Sequence, residues 1–292
     1  MMVEATSAKR ILASGKPYLI YGTAWKEEMT EHHVADAIRS GFRFIDTACQ
    51  PKHYNENGVG RGIMTALKEL NLSRDDLYIQ TKFTSIDGQD PNRIPYDANA
   101  DLEEQVRQSV EISLVNLQTT YIDSLIMHSP MRKMEDTMKV WRVFESLVDS
   151  GKVYNIGISN CYDLKKFQYI YDHARIKPRH LQNRFYSDSG FDVELREFCQ
   201  EHNILYQSFW TLSANRHALR SENVKTMANA KGLTPQTLMY AFMMRLGHTP
   251  LDGTTSKIHM FEDVAIMERI QNGEDILSDS EMKEMTLWLG IT

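Results

Sequence analysis

The chain has 292 residues, 42% hydrophobic and 25% charged, with a formal net charge of -6. That apolar content supports a large buried core and excludes a disordered or fibrous chain, and the acidic balance disfavours nucleic acid and anionic membrane as partners. Three scattered cysteines, Cys49, Cys161 and Cys199, fit reduced thiols in a cytoplasmic protein, and neither a secretory leader in MMVEATSAKRILASGKP nor a bilayer-spanning apolar run is apparent.

Short β-branched or aromatic runs alternate with amphipathic stretches along the chain. A first strand is predicted over 18–24, followed by a helix in EHHVADAIRSG, and a second strand over 42–48. The third, over 77–83, runs into the polar segment 84–100, too long for an ordinary connection and read as a functional or mobile loop. A helix in LEEQVRQSVEISLVNLQ, a strand over 121–129 and a helix in DTMKVWRVFESLVDSG come next. Strands over 154–161, 179–185 and 204–209 follow, then helices over 222–230 and 235–246, an eighth strand over 250–255 and a last helix over 281–289. Eight strand–helix units predict an α/β fold: a (β/α)8 TIM barrel with extra C-terminal helices, one domain over 1–292.

Such barrels build their sites at the C-terminal strand ends, where polar residues are candidates for chemistry. Four ends stand out: FRFIDTACQPKHYNE, YIQTKF, YIDSLIMHSP and YNIGISNC. Asp46, Lys82 and His128 each end an apolar run that points into the barrel, where an ionisable group is costly unless paired. Each alone has a plain reading, as a cap, a rim charge or a core histidine; in register on successive strands they point to one site. No HExxH or CxxC suggests a metal.

IDTA followed by YNE, TK after an apolar strand, MHSP and GISN, in this order and over the whole chain, resemble the aldo-keto reductase superfamily. The resemblance implies reduction of an aldehyde or ketone by a nicotinamide cofactor, with Tyr54 as proton donor, Asp46 and Lys82 as its tuning pair, and His128 orienting the carbonyl. A free tyrosine, with a pKa of about 10, is a weak acid at neutral pH, and a nearby ammonium favours its phenolate. Lys82 is therefore expected to lower the Tyr54 pKa. This chain departs from the family's usual spacing: Tyr54 lies eight positions after Asp46 and directly precedes Asn55 and Glu56. The QPKH stretch looks like a small insertion, which makes His53 a second candidate for the site.

No GxGxxG turn follows a strand, so a Rossmann cofactor site has no anchor. The resemblance implies an extended cofactor instead, with Gly22, Thr23 and Asp46 beside it, Ser159, Asn160 and Gln182 on the carboxamide, Phe209 stacked on the nicotinamide, and Trp210 and Leu212 near the pyrophosphate. Gly253, Thr254, Thr255, Ser256, Lys257 and His259 would surround the adenosine phosphate, with Glu262 and Asp263 at the adenine. Gly253 and His259 stand where many members carry Lys and Arg, and NADPH is the expected cofactor, NADH the possible one. Trp25, Phe83, Tyr96, Met131, Trp210 and Leu212 are apolar candidates for the substrate pocket. The chain stops soon after Leu289, from which an open pocket is expected. The expected partner is a small carbonyl compound, with the protein a monomer or weak homo-oligomer. The alternative is a nicotinamide-binding regulatory subunit that turns over little.

Overall fold

The computed structural model describes residues 7–291, so the first six residues of the stretch read for a leader lie outside the described residues. Eight parallel strands close into a barrel in chain order. They are β1 (Ile20–Gly22), β2 (Phe44–Asp46), β3 (Tyr78–Phe83), β4 (Ile122–Met127), β5 (Val153–Ser159), β6 (His180–Arg184), β7 (Leu205–Phe209) and β8 (Thr249–Asp252). Closure runs through Ile20 opposite Leu251 and Tyr21 opposite Asp252. Most strands are shorter than their predicted spans at one or both ends, and the chain turns outward at the C-terminal rim. There Trp25, Asn160 and Trp210 hold positive φ of 61°, 53° and 55°, a conformation that costs non-glycine residues about 1 kcal/mol or more and persists only where surroundings enforce it.

Twelve helices accompany the strands among the described residues: α1 (Ala8–Ala13), α2 (Thr30–Arg39), α3 (Glu56–Leu70), α4 (Leu102–Asn116), α5 (Met134–Asp149), α6 (Leu164–His173), α7 (Val193–Glu201), α8 (Arg216–Arg220), α9 (Glu222–Ala230), α10 (Pro235–Arg245), α11 (Lys257–Gln271) and α12 (Asp279–Leu289). None is long and apolar enough to cross a membrane. The helices α1 and α8 are missing from the sequence reading because six and five residues are too few to show a helical period. Side-chain oxygens of Ser7, Asn55, Asp101, Asp163, Ser221, Thr234, Ser256 and Ser278 accept from first-turn amides and fix where helices begin.

Strand alternation decides which side chains enter the barrel. On β3, Lys82 points inward, so its neighbour Phe83 points outward, where it is buried against Tyr96 with ring centroids 5.8 Å apart. Phe83 therefore does not line the cavity, contrary to expectation. Tyr96 does not line it either: its hydroxyl donates to the Thr84 carbonyl at 2.6 Å. The 84–100 segment is stitched to the rim, since Gln89 donates to the carbonyls of Cys49 and Thr84 and Gln50 donates to that of Gly88.

Candidate active site

Asp46 ends β2, opposite Gln80 of β3. Its carboxylate accepts from Lys82 Nζ at 2.5 Å on one oxygen and from Gln80 and Gln182 at 2.7 and 3.0 Å on the other. Gln207 on β7 accepts from both glutamines and donates back to Gln80, while Lys82 also donates to the Thr47 carbonyl. Lys82 and Asp46 are 1% and 2% exposed, and a buried ion pair persists only where further hydrogen bonds satisfy it, as Gln80 and Gln182 do here. Burial pulls the Lys82 ammonium below the ordinary lysine range, with Asp46 opposing the shift.

Tyr54 arrives from the 48–53 turn, in which the His53 and Tyr54 amides both donate to the Gln50 carbonyl. The extra residues thus form a compact turn that returns the tyrosine to the barrel mouth. Asn55 then accepts from the Gly58 amide and starts α3. Lys82 Nζ lies 5.3 Å from the centre of the Tyr54 ring, and the His128 ring meets that ring edge-on at 6.0 Å. Burial and the charge of Asp46 push the Tyr54 phenol above its ordinary range. The expected lowering by Lys82 is not seen in this state, in which burial dominates and Asp46 adds to it. The phenol is a neutral O–H donor. Burial and the neighbouring Lys82 and His53 lower His128 to about 3, so it is neutral as well, with Nδ1 2.6 Å from the Thr84 hydroxyl.

Asp46, Tyr54 and His128 floor a cavity of about 490 Å³ lined also by Gly22, Trp25, Lys26, His53, Ser159, Asn160, Gln182, Arg184, Phe209, Trp210 and Thr255. Trp25, 62% exposed, packs on His53 with ring centroids 3.8 Å apart and planes tilted by 36°, so the residues flanking the turn build one wall. Trp210, Leu251 and Gly253 also line a second groove, of about 390 Å³, that holds Leu212, Thr254, His259, Glu262 and Asp263. The two hollows adjoin at Trp210, Leu251 and Gly253 and together make a trough from the end of β4 around to β8.

Several expected cofactor residues are already engaged. Thr23 is fully buried and donates to the Asp46 carbonyl, tying β1 to β2. The Ser159 hydroxyl donates to the Gln182 carbonyl, and Asn160 donates to the His128 carbonyl and to Ser159. Ser256 caps α11, and Lys257 Nζ lies 3.1 Å from Asp36 of α2, outside both hollows. Met131 lines a separate hollow beside His128 and Asn160.

The family model described as "Aldo/keto reductase family" matches residues 19–285, which includes every strand of the barrel and all of the groups above. The chain belongs to the aldo/keto reductase family. Among its relatives, aldo-keto reductase family 4 member C11 of Arabidopsis thaliana is 26% identical over 86% of this chain and 78% of its own length. Glyoxal reductase of Bacillus subtilis is 28% identical over 85% of this chain and 81% of its own. The solved aldose reductase of Schistosoma japonicum shares the fold at a TM-score of 0.76 and 24% identity, covering 93% of this chain and 88% of that one. Aldo/keto reductases are oxidoreductases that use nicotinamide cofactors.

Within this aldo/keto reductase barrel lie residues that sequence reasoning missed. Lys26 is buried, donates to the Gly253 carbonyl at 2.8 Å and is lowered to about 8 by burial. Gln80 and Gln207 complete the cage around Asp46. Gln80 sits two residues before Lys82, in the inward phase of the strand, and that register was the available signal. Arg184 and Thr84 carried no local motif.

Proposed function

We propose that this protein reduces an aldehyde or ketone to an alcohol with a nicotinamide dinucleotide, with Tyr54 as the general acid. The observation that carries the reading is a neutral phenol held beside a buried Lys82–Asp46 pair and a neutral imidazole, at the floor of a trough long enough to continue from β4 to β8. The residues fit the cofactor. Phe209 offers a ring face at the cavity, Gln182 keeps its amide oxygen for a carboxamide N–H after spending its hydrogens on Asp46 and Gln207, and Lys26 offers a cation at the junction of the two hollows.

When bound, the reduced nicotinamide supplies the hydride for the carbonyl carbon. The chain's own groups manage the oxygen. With the Thr84 hydroxyl donating to His128 Nδ1, the imidazole keeps its Nε2–H for the carbonyl oxygen, and the Tyr54 O–H donates to the same atom. As the phenol gives up its proton, the Lys82 ammonium stabilises the charge that develops on it, and Asp46, gripped by two glutamines, keeps that ammonium in place.

We infer that the favoured cofactor is NADH, the reverse of the sequence expectation. The groove beyond Gly253 contains Asp252, Glu262 and Asp263 and no lysine or arginine. Burial and the neighbouring Asp252 push Asp263 up to about 9, so that pair carries one proton, and Glu262 adds a further carboxylate. A 2'-phosphate would meet this acidity without a guanidinium clamp, whereas a 2'-hydroxyl can donate to a carboxylate.

The test follows the loss of NADH and NADPH absorbance with a panel of aldehydes and ketones, beside Tyr54→Phe. Tyr54→Phe is expected to lower kcat by about 100- to 10,000-fold and to leave NADH affinity within a few-fold. Reduction at the unaltered rate would remove Tyr54 as the acid. Tight cofactor binding without turnover of any carbonyl would favour a binding subunit.

A further inference from the structure

We propose that Arg184 makes the cavity a receptor for a carbonyl substrate that carries a carboxylate. This rests on the reductase reading and narrows its substrate class. Arg184 ends β6, and its guanidinium carbon lies 4.1 Å from the Trp210 ring centre, 5.0 Å from that of Tyr186 and 6.0 Å from that of Phe209. Among the described residues its side chain makes no ion pair and no hydrogen bond, and its Nε is buried without a partner. Arg74, also partly buried, shows the usual outcome: its guanidinium is spent on Asp123, Thr119 and two carbonyls.

A guanidinium stacked on an indole keeps its edge N–H groups free, and that edge matches the two oxygens of a carboxylate. The protein supplies no such anion. Asp46 is the single carboxylate among the lining residues, and it is committed to Lys82, Gln80 and Gln182. The anion therefore comes from a ligand. The other cation of the cavity, Lys26, donates to the Gly253 carbonyl on the wall shared with the second groove, where dinucleotide phosphates would pass. Arg184 does not line that groove; it lines the hollow that contains Tyr54 and His128. Its partner is thus assigned to the molecule whose carbonyl is reduced, such as an aldehyde or oxo acid with a second, ionised acid group.

The experiment compares kcat/KM for 4-carboxybenzaldehyde and benzaldehyde in the unaltered protein, Arg184→Met and Arg184→Lys, with NADH affinity measured by quenching of tryptophan fluorescence and benzoate binding to the NADH-loaded protein by calorimetry. The unaltered protein is expected to favour the acid by about tenfold or more, chiefly through KM. Arg184→Met should erase that ratio and Arg184→Lys restore part of it, and benzoate binding should follow the same order. Equal use of both aldehydes by the unaltered protein, or an equal loss on both in Arg184→Met, would overturn the proposal. So would a loss of NADH affinity in Arg184→Met as large as the loss on the acid, since the cation would then serve the cofactor. If no aldehyde is turned over while benzoate binds through Arg184, the carboxylate receptor stands and the reductase reading falls. If benzoate binding ignores Arg184, the receptor falls whatever the turnover.

Discussion

The two ends of the trough handle buried charge differently. At the barrel mouth the Asp46 carboxylate takes three donors, one of them the Lys82 ammonium, so each charge is matched. At the far end Asp252 accepts from Tyr240 at 3.3 Å and from the Thr254 amide at 2.8 Å, and it is hydrogen-bonded to Asp263, which responds to burial by keeping its proton. The first arrangement fixes groups to a small tolerance, as chemistry on a carbonyl oxygen demands. The second is a polar slot whose charge depends on pH and on what occupies it. Position in the fold explains the contrast, since the mouth is closed by donors from β3, β6 and β7 around an acceptor on β2, whereas the far end is completed by α10 and α11.

Breaking the matched end should have the largest effect. Lys82→Met leaves Asp46 buried without its counter-charge, and removing one partner of such a pair costs about 3–5 kcal/mol. Urea unfolding should show that loss. The double variant Asp46→Asn with Lys82→Met, in which Gln80 and Gln182 can still hydrogen-bond, should regain most of the stability while its kcat stays low. A single variant as stable as the starting protein would mean that the pair is not the element that holds the mouth together.

How far the sequence revealed this contrast depends on the kind of residue. The eight strands and the four clustered groups Asp46, Tyr54, Lys82 and His128 were legible because strand alternation and rim position constrain them along the chain. Phe83 was misplaced because closeness to a strand end was read as facing the cavity, whereas parity with Lys82 decides the side. Lys257 looked like a phosphate ligand, but its competitor, Asp36, lies on α2, more than half the barrel away in sequence. Arg184 escaped notice for a related reason: what singles it out is the lack of a partner, and partners come from distant strands. Local pattern locates a side chain; packing from elsewhere decides whether it is free.

The acidic end can be altered without touching the mouth. Gly253 has no atom within 4 Å of where a Cβ would stand and lies outside the left-handed region, so a side chain fits there. Gly253→Lys should shift preference toward NADPH by about tenfold in the ratio of dissociation constants, the value of one new charge contact in a partly exposed groove. Lys257→Ala serves as the comparison and should change the two affinities alike, because that ammonium already faces Asp36. A preference unmoved by Gly253→Lys would place the 2'-position of the ribose elsewhere.

The finest distinction is in pH dependence. His128, lowered to about 3, stays neutral from pH 5 to 9 and gives the rate no limb in that window. Asp263, raised to about 9, is protonated at neutral pH and gains a negative charge as the pH passes through that value. An added anion in the groove repels the pyrophosphate and any 2'-phosphate, so cofactor affinity should fall with rising pH while kcat at saturating cofactor does not follow it. The size is modest, about 1 kcal/mol for one charge several ångströms away at a groove dielectric, which appears as a few-fold rise in Kd. Asp263→Asn removes the titrating group and should flatten the profile for NADH and NADPH together. If the asparagine variant keeps the same dependence, the titration belongs to Lys26, whose ammonium is lowered to about 8 and would lose its charge over a neighbouring range. Lys26→Met distinguishes the two, because it abolishes the dependence if the titrating group is Lys26 and leaves it if the group is Asp263.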